Sequence, residues 1–295
     1  SEIIVGEALK FIKEKKAMDL PFFTVIWDGS PHSPMLASEE DRSEFKDLDE
    51  RSQNHYGELV AFDRSLGVLR KELKELGISD NTILWFCSDN GGLNGILPST
   101  VGGLKGFKNT MWEGGLRVPA IIEWPAVIKS SISNYPTSTM DIFPTILDIV
   151  GISESEILNP IDGISIKPIF NSEKENRSVK IPFRFDDRGA MIDNNIKLVV
   201  RSIKDSQFEL YNLGRDPKES NDISDENQEV FEVMKKDYLD WNMSVENSIK
   251  GNDYSNSEVS NDSFPKVWNT DERYKPYFTQ WSKRPEYKNW IKIEK

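Results

Sequence analysis

Cysteine is almost missing: Cys87 stands alone among 295 residues. No disulfide can form within the chain, so no disulfide scaffold holds it and the redox compartment is left open. Long apolar runs are missing too, and nothing approaches the roughly 20 residues a membrane-spanning helix needs. The start has no Met, and residues 1–16 read as an amphipathic helix rather than a signal peptide. A chain that begins inside a helical pattern is expected to be a piece of a longer chain or a processed product. Positive charge is in deficit, with 37 Lys and Arg against 49 Asp and Glu, a formal charge of -12. That balance argues against nucleic acid or an anionic membrane surface as the main partner. An anionic substrate would need a local basic pocket.

What is present is length enough for one large α/β domain, or a medium domain plus a small one. Ile3, Ile4, Ala8, Leu9 and Ile12 recur at helical spacing, and the apolar run 22–27 reads as a buried strand. Leu59, Phe62, Leu66, Leu69, Leu73 and Leu76 alternate spacings of three and four, which with Gly77 as stop predicts a helix over 54–76. Short apolar runs at 82–87 and 118–124 flank a polar, glycine-rich stretch. Strands alternating with helices predict a largely parallel sheet between helices, with ligands at the carboxyl ends of the strands.

The polar stretch 171–177 suggests a boundary, dividing residues 1–175 from a smaller α+β subdomain over 176–295 with strands at 181–185, 197–202 and 208–213. Asp225 and Gln228 resemble a capping box before a helix marked by Val230, Val233, Met234, Tyr238 and Trp241. Residues 251–263 read as a polar loop. The tail carries Trp268, Tyr274, Tyr277, Phe278, Trp281, Tyr287 and Trp290. Wrapping back onto its own domain is the commoner use of such aromatics, and stacking on sugars is the alternative.

Three segments carry chemistry. Ser88-Asp89-Asn90-Gly91-Gly92 follows an apolar run, so a carboxylate and an amide oxygen, the donors a hard cation prefers, arrive together at the sheet's ligand edge. An isolated Asp-Asn-Gly is more often only a turn. His32 sits between Pro31 and Pro34 after Trp27-Asp28-Gly29, a stiff loop that fixes an imidazole; a surface histidine in a Pro-rich turn is the plain alternative. His55 has no such context and is read as structural. Residues 102–119 hold Lys105, Lys108, Glu113 and Arg117 among glycines that permit close backbone approach to an anion.

Taken in this order, the Pro-His-x-Pro loop, Ser-Asp-Asn-Gly-Gly and Lys-x-x-x-x-Glu-Gly-Gly-x-Arg-x-Pro resemble the formylglycine-dependent sulfatases of the alkaline phosphatase superfamily. Residues 140–147, 208–213 and Asp216-Pro217 match further stretches of that family. The resemblance implies an alkaline-phosphatase-like fold and hydrolysis of sulfate monoesters, of a sulfated polysaccharide or small molecule. It implies a calcium ion with Asp89 and Asn90 among its oxygen ligands, and a periplasmic or extracellular setting. It further implies that His32 contacts the sulfate or the departing oxygen and that Lys108 binds the sulfate. Lys105 stands where the family often has arginine and is assigned a supporting role; Glu113 and Arg117 are expected to brace the loop.

The pattern also breaks. The family's formylglycine arises from Cys or Ser in a Cys/Ser-x-Pro-x-Arg signature that these residues do not contain. The family's early aspartate pair is absent as well, so the chemistry is expected to belong to a longer parent. Two other readings remain open: a phosphoesterase or phosphonate hydrolase of the same superfamily, and a non-catalytic truncated paralogue that binds sulfated sugars.

Overall fold

The computed structural model describes residues 1–157, 159–172, 174–252, 268–270, 272, 274–283, 287, 290 and 291. The expected polar loop lies outside the described residues from 253 onward. The chain forms two compact units: Ser1–Ile78 with Ile96–Pro98 and Ser260–Lys295, and Ser79–Gly95 with Ser99–Val259.

In the first unit, α1 (Glu2–Ala17) packs on α3 (Glu50–Glu75), burying Val5, Leu9 and Ile12 on one helix and Leu69 and Leu73 on the other. Asp49 caps α3 by accepting from the Ser52 amide at 3.1 Å, and Gly77, at φ 67°, follows the helix end as its spacing predicts. The short α2 (Glu39–Arg42) is tied to α3 by a two-pronged pair, Arg64 Nη1 and Nη2 to the Asp41 carboxylate at 2.7 and 2.9 Å. Residues 22–27 are extended, but they join no ladder among the described residues and are not buried as the sequence suggested. Phe23, Val25 and Trp27 stand out at 67, 57 and 86% exposure while Phe22, Thr24 and Ile26 turn inward. The alternation is that of a strand, without a sheet to receive it. Near the end of the chain lies α7 (Phe278–Trp281).

In the second unit, β1 (Leu84–Cys87) pairs antiparallel with β2 (Ala120–Glu123), Leu84 opposite Glu123 and Cys87 opposite Ala120. The parallel pairing expected of these runs is not among the described ladders, because the chain between them folds back on itself through α4 (Glu113–Leu116). Beyond β2 comes α5 (Ile142–Val150), then an antiparallel meander of β3 (Ile181–Phe185), β4 (Arg188–Asp193), β5 (Ile196–Ser202) and β6 (Gln207–Asn212). Period-2 alternation gives this sheet two apolar faces. Met191, Leu198, Val200 and Leu210 meet Met234 and Tyr238 of α6 (Gln228–Ile249), while Ala190, Val199 and Tyr211 meet Met111 and Trp112 of the glycine-rich loop. The capping box expected from Asp225 and Gln228 does not form: Asn227 is the cap residue and bonds no helix amide through its side chain.

No compact-unit break falls at residue 175. Arg177 is buried and donates to both oxygens of the buried Asp141 at 2.7 and 2.8 Å, joining the stretch expected to be a boundary to the start of α5.

Candidate functional site

The loop after β1 and the loop before β2 are locked into one substructure. The Gly91 amide donates to the Gly115 carbonyl at 2.9 Å, the Lys108 amide to Gly92 at 2.8 Å, and the Gly114 amide to Lys105 at 2.8 Å. Such closeness requires glycine. A Cβ on Gly91 would lie 2.0 Å from the Gly114 oxygen, and one on Gly114 would lie 2.3 Å from the Gly106 oxygen. The lock therefore places Asp89, Asn90 and Lys108 on a common rigid base within the second unit.

Asp89 is exposed and accepts from Asn90 Nδ2 at 2.6 Å, and Ser88 Oγ donates to the Asn90 carbonyl at 2.9 Å. Lys108 is half-buried, and no acidic side chain among the described residues pairs with it. Lys105 differs. Its Nζ donates to the Glu219 carbonyl at 2.9 Å and to Tyr211 Oη at 3.3 Å, and it sits 4.6 and 5.1 Å from the Trp112 and Tyr211 ring centres. This lysine fastens the loop to the sheet through cation–π contacts.

Beneath the loop, the buried Glu113 accepts from Lys197 Nζ at 2.8 Å, and the same ammonium lies 2.8 Å from Glu219 Oε1. The Glu113 amide donates to Glu219 Oε2 at 2.6 Å. Burial pushes the Glu219 carboxyl up, opposed by the adjacent Lys197 charge. Glu113 thus braces the loop, and Arg117 is exposed. Lys197 and Glu219 escaped the sequence reading. The one signal for Lys197 was a lysine inside the apolar strand Ile196–Ser202.

His32 belongs to the first unit. It is exposed, its Nδ1 lies 3.0 Å from the Ser33 carbonyl, and its amide donates to Gly29 at 2.8 Å. The peptides before Pro31 and Pro34 are both cis. His55 is buried against the Tyr56 ring, as its structural reading requires.

The family model for sulfatases matches residues 1–152, slightly more than half of the chain. The chain belongs to the sulfatase family. A second model, the C-terminal region of N-sulphoglucosamine sulphohydrolase, matches residues 105–243. A sulfatase of Formosa agariphila is 31% identical over 255 residues, covering 76% of this chain and 46% of that protein. The N-acetylgalactosamine-6-sulfatase of Canis lupus familiaris is 35% identical over 173 residues, covering 57% of this chain and 32% of that protein. A solved structure of Ps i-CgsB in complex with k-i-k-neocarrahexaose superposes with a TM-score of 0.72 at 27% identity, covering 81% of this chain and 54% of that one. The fold class is therefore the alkaline-phosphatase-like α/β fold of the sulfatases. The chain spans between about a third and a half of the length of these curated relatives.

Sulfatase membership raises the question of calcium and formylglycine. Asp89 and Asn90 offer a carboxylate and an amide oxygen, the right kinds of donor for a hard cation, but calcium takes 6–8 oxygens. Among the described residues no group of three or more His, Cys, Asp or Glu gathers around a common point. The Asn90 amide group, moreover, is turned onto Asp89 rather than outward. Two such donors alone fall well short of a calcium ion's oxygen shell. Cys87 is no candidate for the modified residue: it lies half-buried in β1 and is followed by Ser88-Asp89 rather than completing the Cys-x-Pro-x-Arg signature, and burial, then the Asp89 charge, push its thiol up. No helix among the described residues is long and apolar enough to cross a membrane.

Proposed function

We propose that this chain supplies the sulfate-facing part of a sulfuric ester hydrolase acting on a sulfated carbohydrate, exported to the periplasm or beyond. One observation carries the reading. The glycine lock fixes the carboxylate–amide pair Asp89/Asn90 and an ammonium with no acidic partner among the described residues, Lys108, on one base. Lys108 is assigned to neutralise the sulfate oxygens, where a preorganised charge acts most strongly on the transition state. His32 is assigned to the departing ester oxygen, as donor of the proton the alcohol needs. A formylglycine hydrate would supply the nucleophile and a calcium ion, held partly by Asp89 and Asn90, the counter-charge. Lys105 is withdrawn from the substrate, since its ammonium is spent on Tyr211 and Glu219.

The test joins this chain in one polypeptide to an amino-terminal sulfatase half carrying a Cys-x-Pro-x-Arg segment. The joined protein is expected to hydrolyse an aryl sulfate faster than the matching aryl phosphate. The opposite preference transfers the assignment to phosphoester chemistry, and binding of sulfated sugars with no turnover of either ester transfers it to a non-catalytic binder.

A further inference from the structure

The loop that carries Lys108 is fastened at both ends, by Lys105 through Tyr211 and Glu219 and by Glu113 through Lys197 and Glu219. Between those ends the chain makes a tight turn over 107–110, closed by the Thr110 amide on the Phe107 carbonyl at 3.0 Å. Lys108 and Asn109 are its central pair. Asn109 takes φ 73°, the left-handed value that the third position of a type II turn requires. Glycine adopts that value freely, whereas asparagine only tolerates it.

A side chain from elsewhere in the chain reaches this turn. Arg188, at the start of β4 and 79 positions away, donates from Nη1 to the Asn109 carbonyl at 2.9 Å. Its guanidinium also lies 5.1 Å from the ring centre of Phe185, its cross-strand partner in the β3–β4 hairpin. The adjacent Asp187 is engaged by Ser202 Oγ at 2.7 Å and by the Lys204 amide at 3.1 Å, and Arg188 makes no ion pair among the described residues. Ring and carbonyl together hold the guanidinium one residue beyond Lys108.

We propose that Arg188 is a positioning residue for Lys108: it holds Asn109 in the left-handed form and so fixes the turn that aims the ammonium at the sulfate. The assignment rests on the role given to Lys108 in the proposed function, and adds how that charge is aimed. The bond is charge-assisted, hence stronger than one between neutral groups, and it acts on a carbonyl whose direction follows from the φ of its own residue. Packing on Phe185 needs the ring alone. The reach to Asn109 is what couples β4 to the turn.

Arg188→Met keeps a stem over Phe185 and removes the donor, so it isolates this bond. Hydrogen exchange followed by NMR on the full chain reads the turn without any turnover. Arg188→Met should speed exchange of the Lys108 and Thr110 amides about tenfold, while the β5 amides keep their wild-type rates. Adding Asn109→Gly, which takes positive φ unaided, should return both amides close to wild type. Unchanged exchange in Arg188→Met, or a rise that includes β5 to the same degree, overturns the inference. In the joined enzyme Arg188→Met should lower kcat about tenfold, Asn109→Gly should restore it, and Arg188→Met should cost nothing further once Lys108 is replaced by Ala. A loss that persists beside Asn109→Gly, or that adds in full to that of Lys108→Ala, would give Arg188 a direct contact with substrate and overturn the positioning role. Absence of turnover in the joined wild type would count against the proposed function instead, and the exchange rates alone would then decide whether Arg188 holds the turn.

Discussion

The Lys197 ammonium lies 2.8 Å from the Glu113 carboxylate, and the lysine side chain is closed to solvent. With Glu219 at the same distance on its other side, one buried cation holds two buried anions and joins β5 to the loop that presents Lys108. Removing one partner of such a group leaves charge in the interior without compensation, at a cost of about 3–5 kcal/mol. Lys197→Met is therefore expected to lower the thermal midpoint by on the order of 10 °C. Circular dichroism on heating checks this. Adding Glu219→Gln to Lys197→Met should recover part of the loss, and a Lys197→Met protein as stable as wild type would remove the group from the account of the fold.

Lys105 and Lys108 should separate cleanly. Lys105→Ala loses two ring contacts and a carbonyl bond, and should cost stability of roughly 1–2 kcal/mol. Lys108→Ala should leave the midpoint unchanged. In the joined enzyme, Lys108→Ala should lower turnover about a hundredfold, and Lys105→Ala should do so only as far as it loosens the loop. A larger kinetic defect in a well-folded Lys105→Ala would move the sulfate contact three residues upstream.

The glycine lock makes a sharper contrast. Gly91→Ala sets a methyl 2.0 Å from a backbone oxygen, so the loops must part and the second unit should melt earlier. Gly67, inside α3, has nothing within 4 Å of such a methyl. There Gly67→Ala should stabilise by about 0.5–1 kcal/mol, as for any helix interior. Urea titration of both variants decides, and similar destabilisation by the two would contradict the lock.

His55 sets an acid limit. Burial, and then the Arg51 charge, hold its imidazole below the ordinary value of 6.5. The native state then binds fewer protons than the unfolded chain. The stability tied to neutral His55 is fully present above pH 6.5 and declines as the pH falls through that value toward the lower native one. The midpoint of wild type should drop between pH 7 and 5. His55→Leu should flatten that drop, and an unchanged slope in the variant would assign it to other groups.

Much of the local structure was legible because periodicity reports it directly. The three-four spacing from Leu59 to Leu76 announced a helix found at Glu50–Glu75, and its missing first turn was written in Asp49, which caps through Ser52. The strand Ile181–Phe185 was read to the residue. The strand Arg188–Asp193 was not, because Arg188, Gly189 and Asp193 dilute its three apolar residues below any pattern. Residues 22–27 show the converse, with strand chemistry and strand alternation but no ladder, since pairing is a property of partners and not of the run. In the candidate site the motif residues were visible by spacing. The duties of the two lysines were not, as nothing in Gly-Leu-Lys-Gly-Phe-Lys says which ammonium meets Tyr211, 106 residues away. Lys197 was hidden for the same reason: its two anions lie 84 and 22 positions off.

The open run at 22–27 bears on how this polypeptide behaves in a test tube. Among the described residues no backbone hydrogen bond engages the 21–27 stretch, and Trp27 is 86% exposed at its end. A row of amides and carbonyls without a backbone partner among the described residues, beside Phe23 and Val25, is a template onto which another extended chain can zip. Purified at high concentration, the protein should self-associate through this edge, and Val25→Lys should keep it dispersed without touching either folded unit's interior. Light scattering across a dilution series distinguishes that edge from general stickiness, because a single inward-neutral, outward-charged change should be enough to abolish it.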